Sequence, residues 1–215
     1  MLKSEYQKLV EEKPWTEMID VDHEPVEVKK ITTLDIDSHQ WVQFTLDNFD
    51  LAEQKWECPK EHYSELGNKF ARFNNSMGRN EHNTFELNYG INGDTNLKLK
   101  NLLGLDNIQK LNVLPDTVLV RMLVKMAGHG VPWHVDDGSS YAKRFGGDDN
   151  LSNIKRYWFP VLDWQDGHAF QISKTVLTHW KAGDVYEIPW SIGHASTNFG
   201  YVPQYTVSFT AVVNA

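Results

Sequence analysis

The residues whose types and spacing point most directly to chemistry are Trp133-His134-Val135-Asp136 and, sixty positions on, Gly193-His194. In a β-strand residues i and i+2 share a face, so His134 and Asp136 would project side by side. His194, brought in from a later strand, would complete a face of two imidazoles and one carboxylate. On a metal that set leaves coordination positions open, and it is the set with which proteins hold Fe(II) for chemistry with dioxygen. The bland alternative is a buried His–Asp hydrogen bond with no metal. Three features favour the metal. The pair closes a predicted strand just before a long polar loop, His194 stands on a turn between predicted strands, and the intervening strand carries the cation Arg156 with Trp158 and Pro160 on its own face. Asp137 ranks behind Asp136, because strand alternation turns it away from His134. His129, His168 and His179 are the alternatives to His194. His168 follows a predicted turn glycine and His179 precedes Trp180, and both read as surface or satisfied core histidines. His23, His39, His62 and His82 lie in the polar first half and receive no role.

The elements that must position these groups lie in the second half of the chain. From Leu114 onward the pattern is β. Thr117–Met126 is a strand rich in branched residues. The Trp133–Asp136 strand follows, then a long mobile loop over 137–153 holding Gly138, Gly146 and Gly147. Ile154–Trp164 is a strand, Asp166-Gly167 a two-residue hairpin signal, and His168–Ser173 the return. Strands over 175–180, 185–188 and 205–213 complete a run of short strands with regular turns, the signature of a sandwich or jelly roll. The first half is polar and irregular. It holds a short amphipathic helix over 3–12, a strand around Val26–Ile31, a helix over 38–52 with Ser38 as N-cap, loop over 74–93 with a short strand at Phe85–Leu87, and a helix over 96–103. With no clean linker, the chain reads as one unit: 1–112 as flanking helices and loops, 113–215 as the core.

Composition narrows the function. The 215 residues are 40% hydrophobic and 23% charged, which suits a folded domain. No apolar run is long enough for a membrane span, and the start lacks the apolar stretch of a signal peptide. The single cysteine, Cys58, fits a reducing cytosol and excludes a multi-thiolate metal site within one chain. A net charge of −8 argues against a sequence-independent grip on nucleic acid, and steers toward a neutral or basic substrate. Eight Trp and eight Tyr point to a core rich in large aromatics, a few of them lining a pocket.

The stretch from Trp180 through Gly183-Asp184, Glu187, Ser191, His194 and Asn198 to Gly200 resembles the Fe(II)/2-oxoglutarate-dependent oxygenases, most closely the aspartyl/asparaginyl β-hydroxylase branch. Arg156-Tyr-Trp-Phe-Pro160-Val161 is similar to that branch's R-x-H-x-P-L strand. The resemblance covers about residues 115–213. It implies a double-stranded β-helix, or jelly roll, with His134, Asp136 and His194 as metal ligands and Arg156 as anchor for the far carboxylate of 2-oxoglutarate, matching a guanidinium fork to a carboxylate. Fe(II), 2-oxoglutarate and dioxygen would together hydroxylate an unactivated C–H bond, of an amino-acid side chain in a peptide or protein, or of a small molecule. Two departures stand out. Trp158 occupies the position of the branch's His, replacing a hydrogen bond to the cosubstrate by packing. Gln204, ten residues after His194, stands where a basic second anchor is usual. Ser208 and Tyr205 are hydroxyl partners for the cosubstrate, and Arg121 and Lys125, on one face of the first core strand, are fallback cations. Asn198 and Ser196 are candidates to orient the His194 imidazole, with a simple turn role for Asn198 as the alternative. The competing readings are a non-catalytic jelly-roll or cupin-like metal-binding module, which Gln204 favours, and a cupin-type enzyme that works without 2-oxoglutarate.

Overall fold

The computed structural model describes residues 27–51, 87–90, 93–134, 136, 138–145, 151–190 and 192–214. The expected helix over 3–12 and most of the expected loop over 74–93 lie outside them, as do Cys58 and Asp137; residues 87–89 of that loop form a strand and Gly93 opens a helix.

Among the described residues ten strands form two antiparallel sheets: β1 (Lys30–Thr33), β2 (Leu87–Tyr89), β3 (Leu119–Lys125), β4 (Gly130–His134), β5 (Ile154–Pro160), β6 (His168–Ile172), β7 (Thr175–Leu177), β8 (Asp184–Glu187), β9 (His194–Asn198) and β10 (Gln204–Val212). The larger sheet runs β1-β8-β5-β10-β3-β2 and the smaller β4-β9-β6-β7. Within β3–β10 successive strands pass from one sheet to the other, except at the β6–β7 hairpin. That order is a jelly roll, the double-stranded β-helix, with β1 and β2 from the first half added to the two edges of the larger sheet.

Alternation along the strands sorts side chains into two cores. On β3, Val120, Met122 and Val124 are buried toward the outer face; on β10, Val207, Phe209 and Ala211 do the same. They join Tyr157 and Phe159 of β5 in one apolar cluster under the helices. Helix α1 (Ser38–Asp47) adds Trp41, whose ring meets Phe159 edge-on at 5.7 Å. Helix α2 (Gly93–Leu103) adds Leu99 and Leu103, four residues apart and so on one stripe. A short helix α3 (Leu105–Lys110) contributes Ile108. The second cluster fills the space between the sheets with Trp158, Phe170, Ile172, Trp180, Tyr186, Ile188 and Ile192. β5 is buried on both faces because it separates the two cores.

Several boundaries differ from the sequence expectation. The N-cap of α1 is Asp37, not Ser38: the Asp37 carboxylate accepts from the amides of His39 and Gln40, while the Ser38 hydroxyl donates to the Val161 carbonyl. Asp166-Gly167 is not a two-residue hairpin, because β5 and β6 belong to different sheets. The tight hairpin lies at Ser173-Lys174, between the paired Ile172 and Thr175. Gly167 serves a close approach instead: at φ +90°, a Cβ there would stand 2.2 Å from the Gly200 amide nitrogen. The expected mobile loop after Asp136 contains a helix, α4 (Ser139–Phe145), placed over one side of the site.

Candidate metal centre

His194 opens β9 and pairs in register with His134, the last residue of β4. Between Val131↔Ser196 and His134↔His194 the register shifts by one residue, so β4 carries a bulge. Bulges re-aim side chains and recur beside active sites. The strand ends at His134 rather than running on through Asp136, and the carboxylate reaches the centre from just beyond it.

The His194 imidazole is buried, and its Nδ1 lies 3.0 Å from the Ile192 carbonyl. A carbonyl only accepts, so Nδ1 carries the proton and the Nε2 lone pair points elsewhere. It faces Asp136 Oδ2 at 3.4 Å. Burial, then the nearby Arg156 charge, pulls the imidazole from 6.5 down to about 3, against a smaller opposing effect of the Ile192 carbonyl. At neutral pH the ring is therefore uncharged, and its Nε2 stands 3.4 Å from an Asp136 oxygen that also accepts from Arg156, two donor atoms that one metal ion could share. A cation is the natural partner for such a pair. The Asp136 side chain keeps 46% of its surface exposed, so the pair is reachable from outside. The edge of Phe170, with ring centroids 6.1 Å apart at 88°, holds the imidazole from the barrel side. Among the described side chains no group of three His, Cys, Asp or Glu residues is gathered; His134 is described by its backbone alone.

Arg156 donates from Nη1 to Asp136 Oδ2. Its guanidinium lies 5.1 Å from the centroid of the Trp190 ring, and Nη2 reaches the Pro189 carbonyl at 3.5 Å. Burial lowers its guanidinium from the ordinary arginine value to about 9, leaving it charged at neutral pH, and its Nε is buried without a hydrogen-bond partner. Trp190 is fixed by donating to the Ile154 carbonyl at 2.7 Å, and Tyr141 of α4 packs on it at 5.7 Å. Gly138 lets α4 begin this close: at φ +70°, a Cβ there would meet the Trp190 ring at 2.8 Å.

Residues paired across antiparallel strands share a face. The row Arg156–Thr210–Leu119 therefore faces the barrel interior, followed by Trp158–Ser208–Arg121, then Pro160–Thr206–Leu123, and last Gln204 opposite Lys125. Trp158 is packed by Phe170 at 4.6 Å and Trp180 at 5.2 Å. Gln204 and Lys125 are each 1% exposed, and both amide atoms of Gln204 are buried without a partner. Sequence reasoning treated these two as separate residues; the register that sets them side by side was not readable from their spacing of 79 positions.

The other histidines fall away from the centre. His168 pairs with Asn198 at the opposite end of β9 and lies 2.8 Å from the Val202 carbonyl, a satisfied core residue. His179 is exposed and stacks on Trp164 at 4.2 Å. His129 sits in the β3–β4 turn. Asn198 does not orient His194. It donates to the carbonyls of Lys125 and Val202 and accepts from the Gly200 amide, which makes it the turn residue of the alternative reading. Ser196 lies two residues along β9 from His194, whose Nδ1 is already engaged by its own backbone neighbour.

No protein-family model matches the chain, and no curated protein matches it by sequence. Solved structures match over roughly half of it. A predicted oxalate decarboxylase from Thermotoga maritima is 14% identical, covering 46% of this chain and 70% of its own, with a TM-score of 0.32. An uncharacterised protein with a double-stranded β-helix domain from Klebsiella pneumoniae is 20% identical, covering 48% and 71%, at 0.31. Oxalate oxidase in complex with the substrate analogue glycolate is 15% identical, covering 46% and 44%, at 0.31.

Proposed function

We propose that the protein is a non-haem Fe(II)- and 2-oxoglutarate-dependent dioxygenase that hydroxylates an unactivated C–H bond. The observation that carries this reading is the facing pair of acceptors, His194 Nε2 and Asp136 Oδ2, 3.4 Å apart, with His134 in register on the neighbouring strand. His134, Asp136 and His194 would hold the iron. When bound, Fe(II) with 2-oxoglutarate and dioxygen supplies oxidative decarboxylation to succinate and carbon dioxide, coupled to hydroxylation of the substrate.

The chain's own residues supply position, charge and dryness. The Ile192 carbonyl fixes the His194 tautomer, so Nε2 is presented without deprotonation. Arg156 neutralises Asp136 and, lying against a ligand carboxylate, suits the metal-end carboxylate of the cosubstrate. The far carboxylate then falls to Lys125 with the unpartnered Gln204 amide. The basic residue missing at 204 is thus replaced by a lysine directly across the strand pair. This moves the far-end role from Arg156 to the other buried cation. Trp158, Phe170 and Trp180 keep that wall dry.

A metal-binding jelly-roll module without 2-oxoglutarate chemistry is the second reading. It is favoured by Gln204, which leaves the usual position of the second basic anchor uncharged. The two are separated by incubating iron-loaded protein with 2-oxoglutarate and following oxygen uptake against succinate. Equimolar formation, lost in His194→Ala and Asp136→Ala, supports the dioxygenase. Iron binding without succinate, even with a broad set of candidate substrates, would favour the module.

A further inference from the structure

β2 ends at Tyr89, opposite Met122, so among the described residues no strand lies beside residues 119–121 of β3 on that edge. A cavity of about 430 Å³ opens there, walled by α2, the start of β3 and α4. Lys100, Arg121 and Arg144 line it, against the single carboxylate of Asp116. Among the described residues none of the three cations forms an ion pair with a carboxylate. A local surplus of two positive charges on a chain of net charge −8 is the reverse of what the overall balance suggests. Leu97 and Tyr141 give the cavity an apolar body beside its charge.

A relay of side-chain contacts links the cavity wall to the candidate metal centre. Tyr141 packs on Trp190, Trp190 carries the Arg156 guanidinium, and Arg156 donates to Asp136. Leu119 belongs to the same cross-strand row as Arg156, two strands away, or about 10 Å at the usual strand spacing.

We infer that this cavity binds the anionic group, a carboxylate or phosphate, of a small-molecule substrate whose apolar body rests against Leu97 and Tyr141. Guanidinium groups suit both anions through paired donors, and the focused positive field in a cleft favours them over cations. The word substrate rests on the dioxygenase reading; anion binding does not.

The test is calorimetric titration of the metal-free protein with phenyl phosphate, phenylacetate, benzyl alcohol and benzylamine. Saturable binding of at least one of the two anions is expected, weakening as salt is raised, with benzylamine not binding. Arg121→Gln and Arg144→Gln should each weaken the anion roughly two- to fivefold, the worth of a pairing at an exposed cation. Lys181→Gln, removing an exposed cation elsewhere, should not. The relative affinity of the two anions tells phosphate from carboxylate. Absence of anion binding at millimolar concentration, benzylamine binding as tightly, or an unchanged affinity in the Arg121→Gln/Arg144→Gln double variant would overturn the site. Equal displacement of the anion by 2-oxoglutarate would reassign the cavity to the cosubstrate and overturn the substrate role. Because iron is absent, failure of the metal reading would leave the anion result standing, and the reverse.

Discussion

Replacing Gln204 by leucine should make the metal-free protein more stable and its cosubstrate binding weaker. The side chain is 1% exposed, and neither amide atom has a hydrogen-bond partner. An unsatisfied buried amide costs about 1–3 kcal/mol in proteins. Leucine removes both polar atoms at similar volume, so most of that cost returns as stability. For a chain of this size, 1 kcal/mol moves Tm by about 2–4 °C, which places the expected rise between about 2 and 12 °C by calorimetry. Under the proposed function the same substitution would delete a donor to the cosubstrate carboxylate, and a hydrogen bond to a charged group is worth about 1.5–3 kcal/mol. Affinity for 2-oxoglutarate in the iron-loaded protein should fall roughly ten- to hundredfold. A Tm that drops would show that the amide is satisfied in the folded protein. An unchanged 2-oxoglutarate affinity would remove Gln204 from the site.

Lys125→Met should keep iron bound and weaken 2-oxoglutarate at least tenfold by titration, and adding Gln204→Arg should restore part of the loss by returning the charge across the strand pair; no rescue would count against the shared anchor. In the metal-free protein His194 has a folded value of about 3 against an ordinary 6.5, so the unfolded chain takes up that proton first. Its contribution is complete above pH 6.5 and lost as pH falls toward 3, up to about 5 kcal/mol; urea melts of wild type and His194→Gln across that window should show a shallower acid slope in the variant. Gly167→Ala should cost roughly 2–5 kcal/mol in urea melts, from left-handed backbone and a clash with Gly200. Gly128→Ala, also at positive φ but in open space, should cost only the backbone part, about 1–2 kcal/mol.

The jelly roll was legible because period-2 alternation and β-branched runs survive in β3, β5 and β10, where each face meets a different core. The joining of His134 to His194 was anticipated from ligand types, but not the strand that makes it: the sequence set His194 on a turn, whereas it opens β9 and pairs with His134 in register. What sequence could not supply was register and sheet assignment. Asp166-Gly167 has the composition of a hairpin, but β5 and β6 enter different sheets, and the glycine answers a close contact with Gly200 instead. Lys125 and Gln204 acquire meaning only as a cross-strand pair. The helix α4 was hidden because Ser139–Phe145 is short and set among polar, glycine-bearing residues, where local pattern is weak. The cavity cations come from α2, β3 and α4, three segments that only the fold brings together, and overall charge pointed the other way.

The most direct test of the central claim is anaerobic titration of the metal-free protein with Fe(II) and then 2-oxoglutarate, followed in the visible range. A saturable metal-to-ligand charge-transfer band, absent in His194→Ala and Asp136→Ala, is the predicted result. Iron binding with no band would contradict the cosubstrate assignment, and no iron binding at all would contradict the metal centre itself.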